Sequence, residues 1–332
     1  MAVAKKKPKR KSWLPWAASF AFLAGALFIF SLPYLFIWKQ EFSVSQQVQP
    51  FPVSVYPAEK KIVENPAVDA MFASQNSGLS AAVANAGDFL DELAIAIGSS
   101  PWYEALAATD IRFVTIQPGY RKEQIAAAFG KALGWDAATQ KSFLADATTT
   151  PSLPDGTFSP DTYAVGLGTT PQEALSLTDE KFSQSILARY ATSTAAIVPL
   201  PEALTIASMI ERETSDPNEM RIISGIMWNR IFTGMNLQID ATVQYAKGTS
   251  KNWWPQLKPK DLSVKSPYNT YLNSGLPPAP ISNPGVAAVI AALNPVPTDC
   301  LFYFHDSSGG FHCSDTYAAH VALLKQYYGQ GK

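Results

Sequence analysis

From Ser12 to Trp38 the chain carries no charged residue, reading SWLPWAASFAFLAGALFIFSLPYLFIW. About twenty apolar residues in a helix cross a bilayer, so this run suffices with some tilt. Trp13, Trp16, Tyr34 and Trp38 stand near its ends, where amphipathic rings favour the headgroup region. The alternatives are a cleaved leader and a buried core helix. The run is longer than a leader's apolar core and no small-residue cleavage site follows it. The expectation is therefore an uncleaved anchor over 12–38. Lys5, Lys6, Lys7, Lys9, Arg10 and Lys11 precede it. Cations in front of an anchor keep that end in the cytoplasm, which places everything after Lys39 outside the cell membrane in a single pass.

Those six cations also explain the charge balance. The formal net charge is −1; without them it is about −7 over the remaining chain. A basic tail on an acidic body is no footprint for nucleic acid, which needs Lys and Arg spread over a folded face. Cys300 and Cys313 are the two cysteines of the chain. An even pair in an oxidising compartment suggests a bridge. Yet CLFYFHDSSGGFHC reads as a hairpin whose turn at 307–310 would not set the pair opposite each other. Both readings stay open.

The 332 residues allow one large domain or two to three modest ones. Residues 1–11 form a cytoplasmic tail and 12–38 the anchor. Residues 39–110 form a linker and N-terminal segment, with VQPFPVSVYP too broken by proline for a central strand. A compact strand–helix–helix unit occupies 111–150. IRFVTI stops at Pro118-Gly119, and Ile125, Phe129 and Leu133 then repeat at helical spacing. From 151 to 330, helices fit at 171–192, 202–214, 217–233, 284–293 and 315–328. Strands fit NLQIDATVQY and the final hairpin. The fold class is α+β, with a domain large enough for its own core.

One position in that domain is out of place. On a helical wheel through EALTIASMIERET, Glu213 falls about 20° from Ile206, in the middle of the apolar stripe, whereas Glu211 falls about 140° away. DPNE follows, with Asp216 as N-cap, Pro217 at the first helical position and Glu219 at the third. Two helices thus meet at a corner with Glu213 on its inner edge. A carboxyl among aliphatic groups resists ionisation and can serve as a general acid. The plain alternative is an ion pair with Arg212, Arg221 or Arg230.

Several ordered stretches then resemble a family. They are PDGTFSPDTY (154–163), EALTIASMIERET (202–214), NRIFTGMNLQIDATVQYA (229–246), SPYNTYLNSGLPPAPISNPG (266–285), AALNP (291–295) and LFYFHDSSGGFHCSDTYAAH (301–320). Together they resemble the endolytic lytic transglycosylases of the MltG/YceG-like type. The resemblance implies a catalytic glutamate at Glu213, no cofactor, and a glycan-binding LysM-like subdomain over 111–150. It implies cleavage inside peptidoglycan strands of the β-1,4 bond from N-acetylmuramic acid to N-acetylglucosamine, leaving 1,6-anhydro ends without water. Departures are Ala241 where the family has proline and Arg212 where it has lysine; neither removes a proton-transferring group.

Other residues are assigned around that glutamate. Strand alternation puts Gln238, Asp240 and Thr242 on one face, and substrate positioning is expected of Gln238 and Asp240. Tyr268, Asn269 and Tyr271 offer phenols and an amide on a proline-bounded loop, although Asn269 could simply cap a turn. His305, His312 and His320 show no zinc spacing and read as ordinary polar residues, so no metal site is expected. Candidate partners are glycan strands, the membrane through 12–38, and peptidoglycan synthases. Two rival readings stand: a silent peptidoglycan-binding scaffold, and a hydrolase pairing Glu213 with Asp240.

Overall fold

The computed structural model describes residues 14–42, 49–75, 78–107, 110–146 and 155–329. In chain order, α1 (Leu14–Phe42) is followed by the short strands β1 (Val55–Tyr56) and β2 (Lys61–Ile62). Helices α2 (Pro66–Gln75), α3 (Gly78–Gly98) and α4 (Pro101–Ala107) come next. The chain divides into two units, one drawn from Met1–Ser45 and Ala82–Asp110, the other from Gln46–Ala81 and Ile111–Lys332. In the first, α1 contains a stretch, Ser19–Lys39, long and apolar enough to cross a membrane.

The second unit holds two cores. The smaller is built by β3 (Ile111–Ile116), α5 (Lys122–Leu133), α6 (Ala137–Asp146) and β4 (Asp161–Gly166). Strands β3 and β4 pair antiparallel from Ile111 opposite Gly166 to Ile116 opposite Asp161. Ile125, Phe129 and Leu133 enter this core as their spacing predicts, with Val114, Phe143, Phe158 and Tyr163. The strand partner lies beyond residue 150, so the compact unit extends into the segment assigned to the following domain. The backbone groups of β3 need partners, and β4 supplies them.

The larger core is helical. After α7 (Pro171–Ser185) and α8 (Thr192–Ile197) come α9 (Leu200–Glu213), α10 (Pro217–Thr233), α11 (Asp240–Lys247) and α12 (Val286–Leu293). The chain ends with β5 (Phe302–His305), β6 (Phe311–Ser314) and α13 (Tyr317–Tyr328). The single helix expected over 171–192 is broken by a 3-10 turn at Leu187–Arg189. Helix α9 is buried at every position from Ala203 to Ile210, against α12 and α10. Burying such a stripe is what stabilises a helix of this length.

Residues 49–75 are no linker. Phe51, Val55, Val68 and Phe72 join the larger core, the Ser54 N–H donates to the Leu293 carbonyl (3.0 Å), and Asn294 Nδ2 donates to the Pro52 carbonyl (2.7 Å). The prolines exclude a long strand, as expected, but leave apolar side chains to bury.

Asn283 ties the two cores together. Its Oδ1 accepts from the Gly156 N–H (2.7 Å) and the Phe158 N–H (2.9 Å), and its Nδ2 donates to the Tyr120 carbonyl (2.9 Å). Gly156 has φ of 101°, and a Cβ there would meet Pro280 Cγ at 2.7 Å; both facts require glycine. Beside it the Asp155 carboxylate accepts from the Lys122 N–H (2.7 Å) and the Tyr245 hydroxyl (2.9 Å). Burial pushes the Asp155 pKa up to about 6.

Candidate active site

Helix α9 presents Glu213 as its last residue, and the β5–β6 hairpin closes over it. The Tyr303 hydroxyl donates to Glu213 Oε2 at 2.8 Å. Glu213 is half-buried, and its exposed side opens on a cleft of about 320 Å³. Burial raises the Glu213 pKa above the usual carboxylate value, and the charge of Asp240 acts in the same direction. The Tyr303 hydrogen bond, His305 and Arg212 oppose them. None of the three candidate arginines forms an ion pair with Glu213. Arg221 pairs with Asp69 at 2.7 Å. Arg212 lies over the Trp254 ring, 4.0 Å from its centre. Arg230 Nε donates to the Leu301 carbonyl (2.7 Å) and Nη1 to the Leu237 carbonyl.

The corner between α9 and α10 forms as the sequence predicts, with one change. Asp216 Oδ1 accepts from the Asn218 N–H (2.8 Å), so Asp216 caps α10. Glu219 does not reach back to the cap. Its Oε2 instead accepts from the Thr214 hydroxyl (2.8 Å) and lies 3.0 Å from His305 Nε2. The corner is thereby linked to the same hairpin that supplies Tyr303.

Gln238 and Asp240 line the cleft with Glu213, Arg230, Tyr271 and Tyr303, but not as a strand. Asp240 is the first residue of α11, and Gln238 has φ of 54°. Such backbone in a non-glycine residue costs of order 1–3 kcal/mol and needs its surroundings to hold it. They do: Gln238 N donates to the Thr270 carbonyl (3.1 Å) and Ile239 N to Thr270 Oγ1 (3.0 Å). A loop takes the hydrogen bonds that a neighbouring strand would have taken. Thr242 consequently turns inward and is fully buried, off the face it was expected to share.

The 268–271 loop divides its residues between two sites. Tyr271 reaches the cleft, donating to Asp240 Oδ1 at 2.6 Å. Asn269 is fully buried; its Nδ2 donates to the Leu262 (2.9 Å) and Val264 (2.8 Å) carbonyls, and its Oδ1 accepts from the Tyr271 N–H (2.9 Å). It shapes the loop and does not face the cleft. Tyr268 packs on Tyr245, ring centres 4.8 Å apart, among groups that join the two cores.

Two features, at Glu211 and His320, escaped the sequence, and a third, the cysteine pairing, was left open by it. Glu211 was read as lying off the apolar face, yet its Oε2 accepts from the Gly285 N–H (2.9 Å) at the start of α12. Burial pushes its pKa up to about 7. A helical wheel cannot see a second element covering the far side. His320 lines the cleft with Nδ1 buried and unpartnered, its pKa lowered by burial and by Arg230. Cys300 and Cys313 are bridged, Cα atoms 5.8 Å apart. Cys313 pairs with Tyr303 in register, and Cys300, just before β5, crosses to it diagonally.

Comparison with known proteins places these features in context. A family model described as YceG-like matches residues 58–326. The endolytic murein transglycosylase of Bacillus subtilis (strain 168) is 38% identical over 130 residues, which is 39% of this chain and 35% of that one. The endolytic murein transglycosylase of Streptococcus pneumoniae serotype 2 (strain D39) is 27% identical over 225 residues, 59% of this chain and 41% of that one. The chain thus spans well under half the length of these curated relatives. A crystal structure of a YceG-like protein from Listeria monocytogenes superposes with a TM-score of 0.56 at 29% identity, covering 64% of this chain and 75% of that one.

Proposed function

The chain belongs to the YceG-like family, and on that premise we propose that it is an endolytic murein transglycosylase anchored in the membrane by α1. Its N-terminus lies in the cytoplasm and its second unit outside. The observation that carries the reading is half-buried Glu213 at the edge of a cleft, with the Tyr303 hydroxyl on its carboxyl. A carboxyl whose pKa is raised keeps its proton near neutral pH, as a general acid must.

In the reaction, Glu213 donates its proton to the oxygen joining N-acetylmuramic acid to N-acetylglucosamine. The bond from that oxygen to C1 breaks, and Tyr303 steadies the carboxylate left behind. The C6 hydroxyl of the muramoyl sugar then attacks C1, and the carboxylate takes its proton. Atoms balance without water, and Glu213 ends as it began. The tethered hydroxyl has an effective molarity that free water cannot match. The bond to Tyr271 supports a positioning role for Asp240, with Gln238 beside it. The compact β3–α5–α6–β4 unit, with its own core, serves as the LysM-like glycan-binding module. Glycan strands are the substrate, and peptidoglycan synthases are the protein partners of such an enzyme.

The product decides the matter. Purified full-length chain in detergent, incubated with peptidoglycan, should release fragments ending in 1,6-anhydromuramic acid, inert to borohydride. Mainly reducible ends in early products would make the enzyme a hydrolase with Asp240 as second carboxylate. No product from folded protein would leave a binding scaffold.

A further inference from the structure

The cleft beside Glu213 has a lining that takes no part in proton transfer. Gln238, Asp240 and Tyr271 bring polar atoms to it, whereas Phe302, Tyr317 and His320 bring rings. Tyr317 is the first residue of α13, and the Thr316 hydroxyl caps that helix by accepting from the Ala319 N–H (3.3 Å). His320 follows three positions later, so both side chains share one face of the helix. Both meet Phe302 of β5, whose ring centre lies 5.8 Å from that of Tyr317 and 5.5 Å from that of His320. Phe302 is in turn paired with Ser314 in the hairpin that the Cys300–Cys313 bridge closes. The ring cluster therefore sits on a braced support.

Tyr317 is 66% exposed, the highest value for a large apolar side chain in the second unit among the described residues. A ring left so open adds little to folding through burial, so stability does not account for it. Scattered aromatic residues on a surface are ordinary, but this one stands in the cleft that holds the proposed acid. A tyrosine has two side-chain torsions to fix, so ordering it against a ligand costs little.

The sugars of the glycan strand carry their substituents outward from the ring edge, which leaves C–H groups on both faces. Such groups pack on the electron-rich face of an aromatic ring. The hydroxyl and N-acetyl edges instead take hydrogen bonds, which an amide and a carboxylate such as Gln238 and Asp240 can supply. A cleft that combines rings with a few polar groups suits a ligand with both kinds of surface. His320 adds no competing charge, since burial and Arg230 lower its pKa.

We propose that Tyr317 is a glycan-binding residue, whose ring, backed by Phe302 and His320, packs on the face of a sugar in the strand beside Glu213. The proposal rests on the transglycosylase reading of this cleft.

Cleavage of soluble, uncrosslinked glycan strands by the full chain in detergent tests it. Tyr317→Ala should raise KM roughly three- to tenfold, the loss of one ring contact, with a smaller change in kcat. A contact made alike before and during reaction acts on KM in this way, whereas a structural defect would lower kcat and the melting temperature. Tyr317→Phe keeps the ring face and should restore the wild-type KM. Strands stripped of peptide by an amidase should compete with intact ones, and Tyr317→Ala should weaken that competition by a similar factor. An unchanged KM in Tyr317→Ala, while wild type still cleaves, would overturn the proposal and leave the transglycosylase standing. So would a Tyr317→Phe variant no better than Tyr317→Ala. Stripped strands that fail to compete, or compete equally well against both proteins, would give the ring to the stem peptide and overturn it too. No cleavage by folded wild type would remove both readings.

Discussion

The Tyr303 hydroxyl donates to Glu213 Oε2 across 2.8 Å and ninety positions of sequence. It brings the last hairpin to the end of α9 and occupies one of the two carboxyl oxygens. Burial and the Glu213 charge raise the Tyr303 pKa, so the phenol keeps its proton and donates it in this hydrogen bond. Its effect is on the carboxyl it touches.

Glu213→Gln should abolish cleavage while leaving the fold intact, because the amide keeps the shape and cannot transfer the proton. General acid–base catalysis is worth about 10²–10⁴-fold, so turnover should fall at least that far. Glu211→Gln should be much milder, as its amide oxygen can still accept from the Gly285 N–H. Turnover of the two variants, with circular dichroism as the control for folding, checks the ranking; the reverse order would reassign the acid.

Tyr303→Phe should shift the pH profile. The hydrogen bond from Tyr303 favours the ionised form of Glu213; removing it raises the Glu213 pKa further. In the proposed mechanism activity needs the protonated acid, so the alkaline limb should move to higher pH while the maximal rate falls. An unmoved limb would mean that Glu213 is not the group that titrates.

Stability should carry a pH signature from Glu211. Its folded pKa, about 7, lies above the ordinary value of about 4.3. Between those values the folded state binds more protons than the unfolded one, so this group favours folding less as pH rises through the window. Denaturant titrations from pH 4.5 to 7.5 should show wild type losing stability relative to Glu211→Gln. A constant difference across that range would contradict the burial argument.

Removing the bridge with Cys300→Ser and Cys313→Ser should cost about 3 kcal/mol, the entropy expected for a closed loop of roughly this length. Activity should fall by more than the unfolded fraction explains, because the bridged hairpin delivers Tyr303 and His305 to the corner. Activity measured well below the melting temperature separates the two effects.

What the sequence determined by itself is what neighbouring residues decide. The charge-free run, the spacing of Ile125, Phe129 and Leu133, the Asp216 cap and the place of Glu213 at the end of α9 all depend on groups within a few positions of each other. Helical periodicity and capping act over that range. Tertiary structure decided the rest. Asp240 begins a helix because the Thr270 loop takes the hydrogen bonds a strand partner would have made. Asn269 turns inward to hold the Leu262 and Val264 carbonyls while Tyr271 reaches the cleft. Glu211 accepts the Gly285 N–H at the start of α12, 74 positions away, and Arg230 is fastened to Leu301 across 71. A buried polar group must find a partner wherever the fold brings one, and periodicity along one element cannot say which distant group that will be.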